Sequence, residues 1–110
     1  MSTRAEFMTF VADQLQDAGA ITARKMFGEY AVYLDAKVVA LVCDDQLFVK
    51  PTAEGKVFLR RPKEAPPYPG AKPHFLIEEL DDAERLCELV KITAAALPAP
   101  NKPKRKAGRR

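Results

Sequence analysis

The chain has 110 residues, 47% of them hydrophobic and 30% charged, which is typical of one globular domain. No apolar run approaches the roughly 18 residues that a membrane-spanning helix needs, and the first residues lack the pattern of a secretory signal. Cys43 and Cys87 lie far apart in sequence and are expected to be reduced thiols. Composition therefore predicts a soluble cytoplasmic domain that does not associate with membranes.

The net charge of +3 combines two unlike parts of the chain. Residues 98–110 contain no acid and six cations: Lys102, Lys104, Arg105, Lys106, Arg109 and Arg110. Of the 18 basic side chains, 12 therefore remain in residues 1–97 against all 15 acids, which gives that part a charge of −3. Prolines and few apolar residues predict that 98–110 is a disordered tail. Such a tail can bind nucleic acid by counterion release, or it serves only solubility.

An amphipathic helix is predicted over residues 4–18. Thr3 and Glu6 have the spacing of a capping box, in which both side chains bond to backbone N–H groups without helical partners. Apolar residues then recur at helical spacing, and Gly19 supplies a stop.

The apolar period changes to two after the helix, which predicts four strands over 21–27, 30–34, 38–43 and 47–50. The connections Asp35-Ala36 and Asp44-Asp45 are short enough to force antiparallel hairpins. Ala36 disfavours the positive φ of a strict type I′ turn. These strands form a meander.

Proline dominates the next part of the chain. Thr52 is predicted to cap a short helix that Gly55 weakens. Residues 62–74 contain five of the nine prolines and are expected to be irregular, with a type II turn at Tyr68-Pro69-Gly70-Ala71. A short strand over 75–77 and a helix from an Asp81 N-cap to Pro98 complete the pattern. The predicted fold is α+β: a four-stranded antiparallel meander plus a fifth short strand, with the terminal helices packed on it as a second layer.

Catalytic patterns are missing from the sequence. His74 is the sole histidine, so no histidine cluster can bind zinc, and neither cysteine has a histidine near it in sequence. The acidic pairs fall where turns and helix starts favour acids. We expect no catalytic residue, metal or cofactor. An enzyme would need a pocket with Arg24, Lys50 or His74 converging on it.

Two segments are candidates for binding a partner. In Arg24-Lys25-Met26-Phe27, the cations either flank a core Met or Phe, or Arg24 meets a partner with its aromatic neighbours. Tyr68 either anchors an interface on a loop that proline pre-orders, or packs back over the sheet edge. The candidate partner-binding residues are Arg24, Phe27, Lys50, Tyr68 and Lys72.

The segments Arg24-Lys-Met-Phe-Gly28 and Leu47-Phe-Val-Lys50 resemble the TfoX/Sxy N-terminal domain family, and the resemblance covers about residues 5–98. The Pro66-Pro-Tyr-Pro-Gly70 segment is similar to one subgroup of short bacterial members. The family's second glycine is Glu29 here, and its Asp-Gly turn is Asp35-Ala36. The family is named for regulators of natural competence whose longer members carry a further domain. The resemblance therefore implies the N-terminal fold and supplies no catalytic residues.

The sequence favours a non-enzymatic regulatory or protein-interaction module. It would bind a protein partner, or a second copy of itself, through the sheet edge and the Tyr68 loop. The alternative is a nucleic-acid-associated protein that binds through its basic tail.

Overall fold

The computed structural model describes residues 3–26 and 28–98. Within them the elements are α1 (Ala5–Leu15), β1 (Ile21–Met26), β2 (Glu29–Leu34), β3 (Lys37–Cys43), β4 (Gln46–Val49), α2 (Ala53–Leu59), β5 (Lys63–Ala65), β6 (His74–Ile77) and α3 (Ala83–Ala96). The strands form one antiparallel sheet in the order β1-β2-β3-β4-β6-β5. The predicted α+β class is confirmed, with six strands in place of five.

The additional strand lies in the proline-rich segment. The expectation that all of residues 62–74 are irregular was wrong, because β5 pairs with β6 at the edge of the sheet. Pro62 and Pro66 flank this three-residue strand and none of the prolines lies inside it, so no backbone donor is lost from the ladder. Proline content alone could not show this, since what matters is the position of each proline relative to the paired residues.

The N-terminus of α1 is not a capping box. Arg4 occupies the N-cap position and no side chain caps the helix. Thr3 is instead buried, and its hydroxyl donates to Glu29 Oε1 over 2.6 Å. A tertiary hydrogen bond has replaced the local one that the Thr3 and Glu6 spacing predicted.

Both predicted hairpins have turns with positive φ at their two central residues. The values are 52° and 71° at Asp35 and Ala36, and 54° and 57° at Asp44 and Asp45. This is the type I′ pattern, whose twist matches the flanking strands. Ala36 adopts it although its residue type disfavours positive φ, so the expected departure of the first turn from this pattern is not found. Lys37 follows that turn and donates to the carbonyls of Ala94 and Leu97 at the C-terminal end of α3, where a cation is favourable.

The N-cap residues of α2 and α3 bond to the first turns of their own helices. Thr52 caps α2 as predicted, because its hydroxyl accepts from Gly55 N over 2.9 Å. The cap of α3 is Asp82 and not Asp81, since the Asp82 carboxylate accepts from Arg85 N. The N-cap is the acid directly before the first helical residue, and a run of two acids leaves that choice open in sequence.

The helices lie on one face of the sheet, where α3 contacts α1, α2, β2 and β3. The residues that are buried most completely belong to this interface: Val11, Leu15, Val32, Val39, Val42, Leu47, Val49, Leu89 and Val90. Thr93 is also buried there, and its hydroxyl donates to the Leu89 carbonyl. In residues 3–26 and 28–98, no helix has the length and apolar character to cross a membrane.

Candidate functional site

The sheet face that points away from the helices is apolar in its centre. Side chains alternate between faces along a strand, and Val32, Val42 and Leu47 belong to the helix-side core. Their neighbours Ala31, Cys43 and Phe48 are equally buried but lie outside that core, on the opposite face. Something other than the helices must therefore cover them.

The register shows how this second face is arranged. Arg24 pairs with Ala31, Ala31 with Leu41, Leu41 with Phe48, and Phe48 with Leu76. Because paired residues share a face, these side chains form one row across five strands. The row begins at the exposed Arg24 of edge strand β1 and passes through apolar residues to β6.

The proline-rich loop covers part of this face. Ala65 and His74 are paired, so residues 66–73 leave the sheet and return to it at the same pair. Pro67 is buried. The type II turn is confirmed, since Ala71 N donates to Tyr68 O over 3.1 Å and Gly70 has φ of 89°. Tyr68 is 55% exposed, so it covers the sheet only in part.

A groove of about 890 Å³ lies between the loop and the sheet. Its floor includes Leu41, Cys43 and Phe48, and Pro67 lines it from the loop. Two large apolar side chains that line it are exposed to solvent: Met26 at the end of β1, 46% exposed, and Tyr68 in the loop, 55% exposed. Met26 is therefore not the core residue of the predicted Met-or-Phe pair, and Phe27 lies outside the described residues. We call this region the Tyr68 groove.

A network of partly buried and exposed hydrogen bonds lies at one end of the Tyr68 groove. Glu29 Oε1 accepts from the Thr3 hydroxyl over 2.6 Å and from Asp44 N over 3.0 Å. Arg4 reaches the same hairpin, and its Nε lies 3.0 Å from Asp45 Oδ2. Glu29 stands where the resemblance implies a glycine, and it ties the start of the chain to the β1–β2 and β3–β4 turns. Glu29 and Asp44 both line the groove.

Cys43 lies on the groove floor but is a poor nucleophile. Burial, followed by the negative charges of Glu29 and Asp44, raises the pKa of its thiol to about 11. The thiolate is the reactive species, and at neutral pH the Cys43 side chain is a neutral thiol. Cys87 is buried on the other side of the sheet, where its Sγ donates to Gln14 O.

His74, Lys50 and Lys72 lie away from the groove. His74 is buried, its Nδ1 lies 2.9 Å from Lys72 O, and its Nε2 has no hydrogen-bond partner. Lys50 directly follows β4, and its backbone N–H bonds to Val39 O. Neither these three nor Arg24 line the Tyr68 groove. In the described part of the chain, no three His, Cys, Asp or Glu side chains form a group that could hold a metal.

The structure thus brings together only part of the predicted site. Tyr68 lines the groove, and Arg24 lies two residues before Met26 on the same sheet face. Lys50 and Lys72 belong to the other end of the sheet. Phe27 and the six tail cations lie outside the described residues.

Sequence reasoning missed the groove floor. The available signal was Phe48, an apolar side chain on the face of β4 opposite to Leu47 and Val49. A strand with apolar residues on both faces needs cover on both sides, and the proline-rich loop is what remains to provide it.

Comparisons with known proteins assign the family. The sequence profile of the TfoX N-terminal domain matches residues 13–97. A protein of Spirochaeta aurantia described as "uncharacterized 12.7 kDa protein in trpE 5'region" is 42% identical over 107 residues, which cover 96% of this chain and 93% of that protein. The chain belongs to the TfoX N-terminal domain family.

Proposed function

We infer that this protein is a non-enzymatic interaction module that binds a protein partner through the Tyr68 groove. The observation that carries this proposal is the exposure of two large apolar side chains, Met26 and Tyr68, on a groove with an apolar floor. Exposed apolar surface of this kind marks interaction sites.

The loop is suited to binding with a small entropic cost. Its prolines restrict the backbone, the Ala65–His74 pair fixes both of its ends, and the type II turn shapes its tip. Tyrosine is among the residues enriched at interface hot spots. Tyr68 is thus displayed on a loop that needs little reorganisation to meet a partner.

A non-enzymatic role is supported by the chemistry of the groove. Its one thiol, Cys43, is protonated at neutral pH, and the groove is not lined by His74, Arg24 or Lys50. Regulation through partner binding is the role that the resemblance to competence regulators suggests. Two free thiols favour the cytoplasm as its location.

Site-specific photo-cross-linking tests this proposal. The full chain would carry p-benzoylphenylalanine at position 68 or, as a control, at Val57, which is 78% exposed on α2. We expect one specific protein to cross-link at position 68 and not at position 57. Met26→Asp should abolish that adduct, because it places a charge in the groove. Identical adducts from both positions, or none from position 68, would contradict the proposal.

The alternative function is nucleic-acid association through residues 98–110, which the six tail cations favour. If all six contact duplex phosphates, log affinity should fall with log salt at a slope of about −5. The net charge of −3 on residues 1–97 implies that the tail alone would carry this affinity.

A further inference from the structure

Strand β1 is an edge strand with an exposed surface. Among the strands of the described residues it pairs only with β2, and five of its six residues are exposed. It ends at Met26, which lines the Tyr68 groove, so the groove opens beside this edge.

The backbone of β1 offers free hydrogen-bonding groups on its outer side. Asp35 N donates to Ala20 O, which fixes the alternation: the even-numbered residues of β1 bond to β2. The odd-numbered residues therefore point their N–H and C=O groups outward. Ile21 N already bonds to Gly19 O. Within residues 3–26 and 28–98, no backbone group bonds to the outward N–H and C=O of Ala23 and Lys25.

The charged side chains of this edge strand are all basic. Arg24 and Lys25 are adjacent and exposed, and β1 contains no acid. Among the described residues, neither cation forms an ion pair with an acid. Arg24 and Met26 share the face that carries the groove, whereas Lys25 points to the other face.

We propose that β1 accepts an extended acidic segment of the partner protein as a seventh, antiparallel strand. Ala23 and Lys25 supply the backbone hydrogen bonds, as in other cases of strand addition. A carboxylate opposite Arg24 and an apolar side chain opposite Met26 then lie on the groove side, and a second carboxylate meets Lys25. This inference rests on the proposed function, since the added strand delivers the partner's next residues to the Tyr68 groove.

Charge disfavours the two other occupants of this edge. A second copy of β1 would bring Arg24 and Lys25 against another pair of cations, which is how natural edges avoid self-pairing. The chain's own residues 98–110 are cationic as well. An acidic strand would reduce the repulsion between Arg24 and Lys25 by pairing each with a carboxylate. The two cations therefore favour an acidic segment over a neutral or basic one.

The test is an NMR titration of the full 110-residue chain with capped synthetic peptides. The probe Leu-Glu-Glu-Val-Thr, antiparallel to β1, places Leu opposite Met26, the two Glu opposite Lys25 and Arg24, and Val opposite Ala23. One control replaces both Glu by Lys. The other keeps every side chain but N-methylates the first Glu and the Val, which removes the two donors that would bond to Lys25 and Ala23.

We expect amide exchange to slow at Ala23 and Lys25 on binding and to stay unchanged at Arg24 and Met26, which already bond to β2. Each control should bind at least about tenfold more weakly. The inference would be overturned if all three peptides bind equally or if none binds at millimolar concentration. It would also be overturned if, without peptide, the amides of Ala23 and Lys25 are protected from exchange to an extent that grows with protein concentration. If the peptides fail while position 68 still cross-links specifically, this inference falls and the proposed function stands.

Discussion

Gly55 is the position where structure and helix propensity make opposite predictions. Replacing a helical glycine by alanine usually stabilises a protein by up to about 1 kcal/mol. In α2, however, a Cβ on Gly55 would lie 2.8 Å from Thr52 Oγ1 and 3.2 Å from Phe75 Cε2. The first atom is the cap of the helix and the second belongs to the core, so neither is free to move away.

The cost of Gly55→Ala can be assembled from these two contacts. Displacing the Thr52 cap costs about 1 kcal/mol, and overpacking against Phe75 costs a further 1–3 kcal/mol, roughly. After the gain in propensity of up to about 1 kcal/mol, the free energy of unfolding should fall by about 1–3 kcal/mol. For a domain of this size, that lowers Tm by about 4–8 °C for each kcal/mol.

Thermal and urea unfolding followed by circular dichroism measure this change. Val57→Ala is the matched control, because Val57 is 78% exposed on the same helix; it should be neutral or stabilising by up to about 0.5 kcal/mol. If Gly55→Ala is as stable as the parent protein or more so, the close approach of α2 to Phe75 and the reasoning built on it are refuted.

Three further predictions concern the network, the thiol and the tail. Thr3→Val should lower the free energy of unfolding by about 1–2 kcal/mol in urea titrations, because Glu29 loses a buried donor, whereas Thr3→Ser should retain most of it; equal losses would contradict the hydroxyl's role. Burial raises the pKa of Cys43 to about 11 in the folded state, so the unfolded state releases its proton first and stability should fall between pH 9 and 11; Cys43→Ala should remove this part of the pH dependence, and an unchanged profile would contradict it. Deleting residues 98–110 should abolish any nucleic-acid binding and its salt dependence in filter-binding assays, and equal binding by the shortened chain would exclude the tail as the site.

Much of the fold could be predicted because its signals are local. The alternation of apolar residues after Gly19 gave the meander, and Thr52 and the Tyr68-Pro69-Gly70-Ala71 turn behave as their residue types favour. The capping box at Thr3 failed because of a distant contact. The Thr3 hydroxyl could bond either to a backbone N–H at the start of α1 or to Glu29. It bonds to Glu29, which only the folded sheet brings within hydrogen-bond distance.

The site was harder to predict than the fold because it lies between segments far apart in sequence. Tyr68 was a candidate from its loop alone, but the exposed apolar residue that lines the same groove from the sheet is Met26, 42 positions earlier. The sequence pattern left open whether Met26 is buried. Met26 is exposed because β1 lies at the edge of the sheet, and the alternation of apolar residues in the sequence does not indicate the order of the strands.

The central claim is that the Tyr68 groove binds a protein partner. Calorimetric titration of the cross-linked protein, once identified and purified, against the full-length parent, Tyr68→Ala and Val57→Ala chains tests it most directly. Because Tyr68 is 55% exposed, its truncation should leave Tm nearly unchanged. It should weaken binding by about 30-fold or more, as expected for a hot-spot tyrosine, while Val57→Ala stays within about twofold of the parent. Unchanged affinity in a folded Tyr68→Ala chain would contradict the claim.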